Sequence, residues 1–335
     1  MFEKENIAID INSDKITILV GTRTKITHAT ILDTPRGSFA NNRIVNNDEL
    51  ASVIKYYLIK SKIKVKDVSF VVRGEDIITR HLVMPIVKEE AMKESIDFEL
   101  RQFIGDMVEE YYFDYEITNI NKDDKARNGE VFIVAAKKDK IEGYVTLSKS
   151  LKLNIKAIDI YLSTLVRGYR NLNTSMTKMI KTVGLITVEN ESSSLTIAEW
   201  GKIALENFKD NGLKSVIYKD FVNESEYNSY LESINLVDVK DEDDYIDTYF
   251  QELSSRFDTF IQFYTSGKVK KTLDRIYVLG TGSKIKGIQQ YFEVNLNARS
   301  ANIPKFEDMK VIVKTPKNIS LKDYLYCYGL LLRRG

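Results

Sequence analysis

Two polar turns, 177 residues apart, carry residue types that could hold a phosphate group. The first turn, residues 10–13, reads DINS, and the second, residues 187–190, reads TVEN. Each follows a short apolar segment and precedes a second one, which is the pattern of a strand, a turn and a returning strand. Such a turn presents backbone N–H groups to an anion, provided that small residues let the anion approach. Because the flanking segments repeat at the same spacing, the sequence predicts two homologous halves.

The side chains in the two turns weigh against ATP hydrolysis. Asp10 is a carboxylate, but Thr187 holds the corresponding place in the second turn and has no titratable group that could act as a general base. Asn12 and Glu189 stand where a small residue would let a phosphate approach. A carboxylate about 4 Å from a phosphate charge costs roughly 4 kcal/mol at an effective dielectric near 20. We therefore expect a degenerate nucleotide site and no catalytic residue.

A third motif follows the apolar strand predicted over residues 276–279. It reads GTGSK over residues 280–284 and leads into a helix. A glycine-rich turn between a strand and a helix brings the backbone close to a planar or phosphate-bearing ligand. The predicted cofactor-binding residues are those of the first turn and of this motif: Asp10, Asn12, Ser13, Lys15, Gly280, Gly282, Ser283 and Lys284.

Length and composition limit the classes of function. A chain of 335 residues exceeds one ordinary hydrophobic core, so two lobes are expected. The net charge of +1 provides no broad positive field for nucleic acid. His28 and His81 are the only histidines and lie far apart, so we predict no metal site. Cys327 is the single cysteine, and no apolar run of about 18 residues occurs, which favours a cytoplasmic protein without a disulfide.

A segment with a different pattern of apolar and polar residues, 79–155, interrupts the first half. It opens with a helix whose one apolar face is formed by Met92, Ile96, Leu100, Phe103 and Ile104. The opposite face is small and polar around one aromatic ring, with Ala91, Ser95, Phe98 and Gln102. Two interpretations stay open: a further strand layer covers Phe98, or this face binds a partner.

The predicted organisation has five segments. Residues 1–78 form the first part of the first half, 79–155 an inserted α+β subdomain, and 156–181 the rest of that half. Residues 182–318 form the second half, with a helical insertion at about 209–270, and residues 319–335 form a closing helix.

Three stretches of the chain resemble the PilM family of type IV pilus assembly, and the resemblance covers nearly the whole chain. They are residues 72–85 (VRGEDIITRHLVMP), 96–104 (IDFELRQFI) and 113–116 (FDYE). The resemblance implies an α/β fold of the actin-like, ribonuclease H-like type, duplicated into two lobes, with a small α+β insertion in the first lobe. It also implies that ATP with magnesium lies between the lobes. Lys15 then stands in for the phosphate-contacting lysine, because Thr17 holds the position where that lysine is frequent.

The family resemblance further implies a function as a cytoplasmic adaptor. PilM-like proteins bind the N-terminal cytoplasmic tail of the membrane protein PilN, in a groove between the first half and its insertion. They thereby couple the cytoplasmic motor ATPase to the envelope and lie at the inner face of the membrane through this partner. The predicted partner-binding residues are Arg80, Ala91, Ser95, Phe98 and Gln102. Two alternatives stay open: an active actin-like ATPase or kinase, and a self-associating, filament-forming division factor like FtsA.

Overall fold

The computed structural model describes residues 3–120, 127–175, 180–222, 224–237, 244–266, 271–315 and 319–333. The chain divides into two compact units. The larger unit comprises residues 1–74 and 147–335, and the smaller, inserted unit comprises residues 75–146.

The larger unit begins with a mainly antiparallel arrangement of strands followed by a helix and a parallel strand. Its elements are β1 (Asn6–Ile11), β2 (Lys15–Gly21), β3 (Lys25–Asp33), β4 (Phe39–Ala40), β5 (Arg43–Ile44), α1 (Asn47–Lys60) and β6 (Asp67–Val72). The side chain of Asn46 accepts a hydrogen bond from the backbone N–H of Glu49, which caps the first turn of α1. Leu50, Ile54 and Leu58 form its buried stripe.

The inserted unit is a helix on a three-stranded antiparallel sheet. Its elements are β7 (Ile78–Pro85), α2 (Glu89–Ile104), β8 (Tyr111–Ile120), β9 (Asn128–Lys137) and the start of α3 (Lys138–Leu151). The strand order is β7-β9-β8, so β9 is central and β7 lies at an edge. The core of the unit is formed where the apolar stripe of α2 packs on the sheet, with Met92, Ile96, Leu100, Val131 and Ile133.

The chain then returns to the larger unit. The remaining elements are β10 (Asn154–Ile160), α4 (Tyr161–Ser175), β11 (Thr182–Val188), β12 (Ser193–Glu199), β13 (Lys202–Lys209), α5 (Glu224–Ser233), α6 (Asp244–Thr265), β14 (Arg275–Leu279), α7 (Ile288–Asn295), β15 (Ile312–Val313) and α8 (Leu321–Leu331). β10 pairs in parallel with β6 from Asn154 onward. The inserted unit therefore ends before this strand, at residue 146, whereas the sequence analysis placed its end at residue 155.

The two largest sheets of the larger unit repeat one connectivity. The first has the order β10-β6-β1-β2-β3-β15, and the second has the order β13-β12-β11-β14. In each sheet an antiparallel hairpin (β1–β2 or β11–β12) is extended by a third antiparallel strand, and a parallel strand (β6 or β14) flanks the first strand of the hairpin. Asp10 pairs with Thr17 across the first hairpin, and Thr187 pairs with Ser194 across the second.

Helices α4 and α8 pack against each other closely within the larger unit. A Cβ atom at Gly329 would lie 1.9 Å from the backbone oxygen of Thr164, so only glycine fits at this crossing. Tyr328 and Cys327 next to it are fully buried. Among the described helices, none is both long enough and apolar enough to cross a bilayer.

Candidate functional site

A buried arginine organises the first turn. Arg73 directly follows β6, which runs parallel to β1, so its side chain starts at the same sheet edge as the end of β1. Its Nη2 atom donates to Asp10 Oδ1 at 2.6 Å, and its Nη1 atom donates to Asn12 Oδ1. The guanidinium also lies 5.0 Å from the centre of the Tyr326 ring on α8. Arg73 and Asp10 are both almost completely buried, so the first turn is held by an internal ion pair.

A buried glutamate organises the second turn. Glu189 follows β11, and its Oε2 atom accepts hydrogen bonds from the backbone N–H of Thr281 at 3.1 Å and from the Thr281 hydroxyl at 2.9 Å. Lys15, at the start of β2, donates from Nζ to the same hydroxyl at 2.8 Å, and Nζ lies 3.5 Å from Glu189 Oε2. The second turn is thereby joined to both the glycine-rich motif and the first hairpin.

The two polar turns, Lys15 and the glycine-rich motif form a site, called the cleft below, whose electrostatics favour the charged forms of Glu189, Lys15 and Arg73. Burial opposes the charge of Glu189, but Lys15, Arg73 and the two hydrogen bonds from Thr281 outweigh it, so the pKa of Glu189 lies below its ordinary value of 4.5. Burial likewise opposes the charge of Lys15, and Glu189 outweighs it, so the pKa of Lys15 is raised. The pKa of Arg73 is raised despite burial, because Asp10 favours the guanidinium. For Asp10, burial outweighs the favourable effect of Arg73, so its pKa lies above the ordinary value of 3.8. The cations Lys15 and Arg73 therefore favour ionisation of Glu189, whereas burial disfavours ionisation of Asp10.

The glycine-rich motif lies against the second turn. Gly280 has φ +80, and a Cβ atom there would lie 2.5 Å from the backbone oxygen of Val188 and 2.9 Å from the Glu189 carboxylate. At Gly282 the nearest atom to such a Cβ is Val188 Cγ1, at 2.8 Å. Ser283 donates from its hydroxyl to the backbone oxygen of Gly280 at 2.6 Å. The small residues thus accommodate β11 and its glutamate.

The other predicted residues of the cleft are Ser13 and Lys284, and the structure shows the following contacts for them and for Thr187. Ser13 accepts a hydrogen bond from Lys214 Nζ at 2.8 Å. Lys284 ends the 3-10 turn Thr281–Lys284 and is half-buried. Burial, Lys284 and Lys15 together lower the pKa of the neighbouring Lys322. Thr187 does not contribute a titratable group, and its hydroxyl oxygen lies 3.2 Å from the Tyr326 hydroxyl.

A cavity of about 240 Å³ lies on the surface of the inserted unit, between β7 and α2. Its lining residues are Arg80, Leu82, Glu99, Leu100, Gln102, Phe103 and Ile133. The Arg80 guanidinium lies 3.5 Å from the centre of the Phe103 ring, which is a close cation–π contact. Arg80 and Glu99 contribute charged groups to its lining, and Leu82, Leu100, Phe103 and Ile133 contribute apolar ones.

The exposed face of α2 continues from this cavity. Phe98 is 60% exposed, so the interpretation that a further strand layer covers it is wrong. Ala91 is also exposed, and Ser95 donates from its hydroxyl to the Ala91 backbone oxygen at 2.8 Å. Gln102 belongs both to this face and to the cavity. The structure therefore brings Arg80 and Gln102 to one cavity and leaves Ala91, Ser95 and Phe98 along the adjoining helix face.

Phe103 was predicted to share the apolar face of α2 with Met92, Ile96 and Leu100, but it does not share their burial. The ring is 56% exposed and packs under Arg80 instead. Its helical spacing from Leu100 predicted a buried position, but α2 ends one residue later, at Ile104, and Gly105 has a positive φ of 63. Leu100 and Ile104 in the same turn still pack on the core, so only the Phe103 ring stays outside it.

The sequence matches the family described as type IV pilus assembly protein PilM over residues 8–335. The chain belongs to this family. The family prediction is therefore confirmed, and so is the assignment of the chain to type IV pilus assembly. No protein with a curated description matches the sequence at a significant level.

Solved structures that resemble the PilM-family chain show its fold. The "PilM-PilN type IV pilus biogenesis complex" is 16% identical, with 98% of each chain covered and a TM-score of 0.80. The ethanolamine utilization protein EutJ of Carboxydothermus hydrogenoformans is 10% identical over 99% of this chain and 90% of its own, with a TM-score of 0.56. MreB 5 of Spiroplasma citri, bound to AMPPNP, is 10% identical over 98% of this chain and 96% of its own, with a TM-score of 0.51. The predicted actin-like α/β fold is confirmed.

Sequence reasoning missed three residues that shape the cleft of this PilM-family protein. Arg73 was part of the quoted family motif but was not assigned to the cleft, although it directly follows a buried strand parallel to β1. Thr281 was not predicted to belong to the site, although it lies between Gly280 and Gly282, which were. Glu189 was treated as a charge that repels phosphate, and its role as an acceptor for Thr281 had no local signal.

Proposed function

We propose that this chain is an adaptor of type IV pilus assembly that binds the N-terminal cytoplasmic tail of a PilN-like membrane protein on its inserted unit. The observation that carries the proposal is the Arg80–Phe103 cavity, which adjoins the exposed Phe98 face of α2. The similarity to the solved PilM-PilN complex supports it. Bound to this partner, the chain would lie at the inner face of the membrane and couple the motor ATPase to the envelope complex.

The size of the cavity favours a peptide side chain. At about 240 Å³ it lies below the roughly 300–1,000 Å³ of typical small-molecule sites. One apolar side chain fits against Leu82, Phe103 and Ile133, while the lining also offers a cation, a carboxylate and an amide to the polar groups of an extended backbone. Phe98, one helical turn before Gln102, then supplies a second apolar contact.

The edge of the inserted sheet supports an extended binding mode. Among the described strands, β7 pairs only with β9, so the backbone groups along its other side do not take part in the ladder. Arg80 and Leu82 of β7 point to the same face of the sheet and line the cavity. A peptide that runs along β7 could therefore place alternate side chains in the cavity and on α2.

The test is the affinity of a synthetic peptide for single variants, where the peptide is the N-terminal tail of the cognate PilN-like protein. Truncation of a central anchor typically costs 2 kcal/mol or more, which is roughly a 30-fold loss of affinity. We expect Phe98→Ala and Phe103→Ala to weaken binding at least about tenfold in calorimetry, and Arg80→Ala to weaken it less. Because both rings are more than half exposed, the melting temperature should change little.

The matched control is Phe263→Ala. Phe263 is 68% exposed on α6, a helix of the larger unit, and does not line the cavity. Its truncation should leave peptide affinity unchanged. Normal binding by both Phe98→Ala and Phe103→Ala would move the docking site away from this face.

We also propose that the chain does not hydrolyse ATP and needs no bound nucleotide. Thr187 cannot act as a base, and the Lys15 ammonium is neutralised by Glu189. The Thr281 N–H and hydroxyl, which a phosphate would need, already donate to the same carboxylate. Phosphate release by the purified protein should equal that of a blank. Steady release that disappears in Asp10→Ala would refute the proposal.

A further inference from the structure

Three donors converge on one carboxylate oxygen in the cleft. The Thr281 backbone N–H, the Thr281 hydroxyl and the Lys15 ammonium lie 3.1, 2.9 and 3.5 Å from Glu189 Oε2. A backbone N–H at the start of a turn, a hydroxyl and a lysine are the groups that typically hold a phosphate oxygen. The carboxylate of Glu189 is therefore coordinated as an anionic ligand would be.

The carboxylate also fills the space that the glycine-rich motif leaves open. A Cβ atom at Gly280 would lie 2.9 Å from Glu189 Oε1, so the lack of a side chain at residue 280 makes room for the glutamate. The Glu189 side chain is only 7% exposed. A phosphate group at this place would have to displace the Glu189 carboxylate first.

The same contacts join the two largest sheets of the larger unit. Lys15 belongs to the first sheet, whereas Glu189 and Thr281 follow strands of the second. Two further hydrogen bonds cross the cleft beside them. They run from Lys214 to Ser13 at 2.8 Å and from Tyr326 to Thr187 at 3.2 Å.

We propose that the Glu189 carboxylate is an intramolecular ligand of the phosphate-binding donors and clasps the two sheets together in place of a bound nucleotide. The inference rests on the proposal that the cleft works without nucleotide. It goes further, because it assigns a binding partner to the donors and a holding role to the glutamate. A site that had only lost its affinity for nucleotide would leave the donors of Thr281 and Lys15 without an acceptor in the cleft.

The test compares Glu189→Gln with Glu191→Gln by hydrogen exchange and mass spectrometry of the whole chain. The first substitution keeps the shape but removes the charge that Lys15 and Thr281 share. The second removes a charge from the same turn. Glu191 lies 3.5 Å from Lys214, whose side chain is 53% exposed, so this pair is worth less than about 1 kcal/mol and the hydrogen bond from Lys214 to Ser13 does not need it. If Glu189 is the clasp, exchange in the β1–β2 and β11–β12 hairpins rises at least about tenfold in Glu189→Gln. It stays at the wild-type level in Glu191→Gln.

A second variant tests the ligand chemistry. Glu189→Gly removes the carboxylate that occupies the donors of Thr281 and Lys15. Magnesium pyrophosphate and magnesium ATP should therefore raise the melting temperature of this variant by several degrees. The same ligands should not change the melting temperature of the wild-type protein. Far-UV circular dichroism and a cooperative thermal transition provide the folding check for each variant.

The outcomes separate the two proposals. Equal exchange in Glu189→Gln and Glu191→Gln, or no response of Glu189→Gly to either ligand, overturns the clasp and leaves the nucleotide-free adaptor intact. A magnesium ATP shift in the wild-type protein overturns both, because the donors would then be available to a nucleotide. Loss of exchange protection together with a gained ligand response supports the clasp.

Discussion

Replacement of Arg73 by methionine tests whether the first turn depends on its buried ion pair. Methionine keeps most of the length of the side chain but removes the guanidinium that donates to Asp10 and Asn12. The Arg73 and Asp10 side chains are 4% and 5% exposed, so water cannot replace the lost partner. Asp10 would be left as a buried carboxylate without its arginine.

The expected loss of stability follows from this burial. Breaking a buried ion pair by removing one partner costs about 3–5 kcal/mol, because the remaining charge is uncompensated. A change of 1 kcal/mol shifts the melting temperature of a large domain by about 2 °C. We therefore expect Arg73→Met to lower the melting temperature of the larger unit by roughly 6–10 °C. The melting temperature of Arg73→Lys should lie between those of the wild-type protein and Arg73→Met, because one ammonium group cannot donate to Asp10 and Asn12 in the geometry of a guanidinium.

The assay is thermal denaturation followed by circular dichroism, with Arg23→Met as the control. Arg23 belongs to the same unit and pairs with Glu3 at 2.5 Å, but its side chain is 43% exposed. A surface pair of this kind is worth less than about 1 kcal/mol. The double variant Arg73→Met with Asp10→Asn should recover part of the loss, because no charge is left buried. If Arg73→Met melts at the temperature of Arg23→Met, the ion pair does not hold the turn.

Three further predictions concern the cleft and the last helix. The pKa of Glu189 in the folded protein lies below its ordinary value of 4.5. Its contribution to the free energy of unfolding is therefore complete above pH 4.5 and is lost as the pH falls through the folded-state pKa. Urea denaturation should show this acid sensitivity, and Glu189→Gln should reduce it. Gly280→Ala should lower the melting temperature more than Gly37→Ala, since both have a φ near +80 but only Gly280 would bring its Cβ within 2.5 Å of another atom. Burial raises the pKa of the Cys327 thiol, so iodoacetamide should alkylate it only after denaturation, as mass spectrometry would show.

The duplicated hairpins could be predicted because their signal is local. The apolar residues and polar turns of β1–β2 and β11–β12 recur 177 residues apart, and the observed strands keep this offset within one residue at their starts. Lys15 was predicted to reach the cleft from the first turn, and the structure places its ammonium on Thr281. Thr17, two residues later, is buried in β2 opposite Asp10, and the Asp10 carboxylate is already paired with Arg73.

The misassigned residues depend on contacts between segments far apart in the chain. Arg73 reaches Asp10 across 63 residues, and Glu189 reaches Thr281 across 92. Periodicity gave no information on either contact, because each joins the ends of two neighbouring parallel strands that lie far apart in the sequence. The prediction for Phe103 failed for a different reason. Its spacing matches the apolar face of α2, but its ring packs against Arg80 at the surface instead of on the sheet.

A built-in carboxylate and a bound nucleotide would hold the cleft in different ways. A nucleotide at 100 times its dissociation constant contributes about 2.7 kcal/mol, and this contribution falls with ligand concentration. The contribution of Glu189 does not depend on concentration, because the ligand is part of the chain. The desolvation of Glu189 and Lys15 limits the net stability that their contact adds. The advantage of the built-in carboxylate is therefore that it is always present, rather than that it adds much stability. If the clasp proposal holds, the larger unit of this PilM-family chain has one closed state whatever the nucleotide level, as expected of a scaffold that is not switched by ATP.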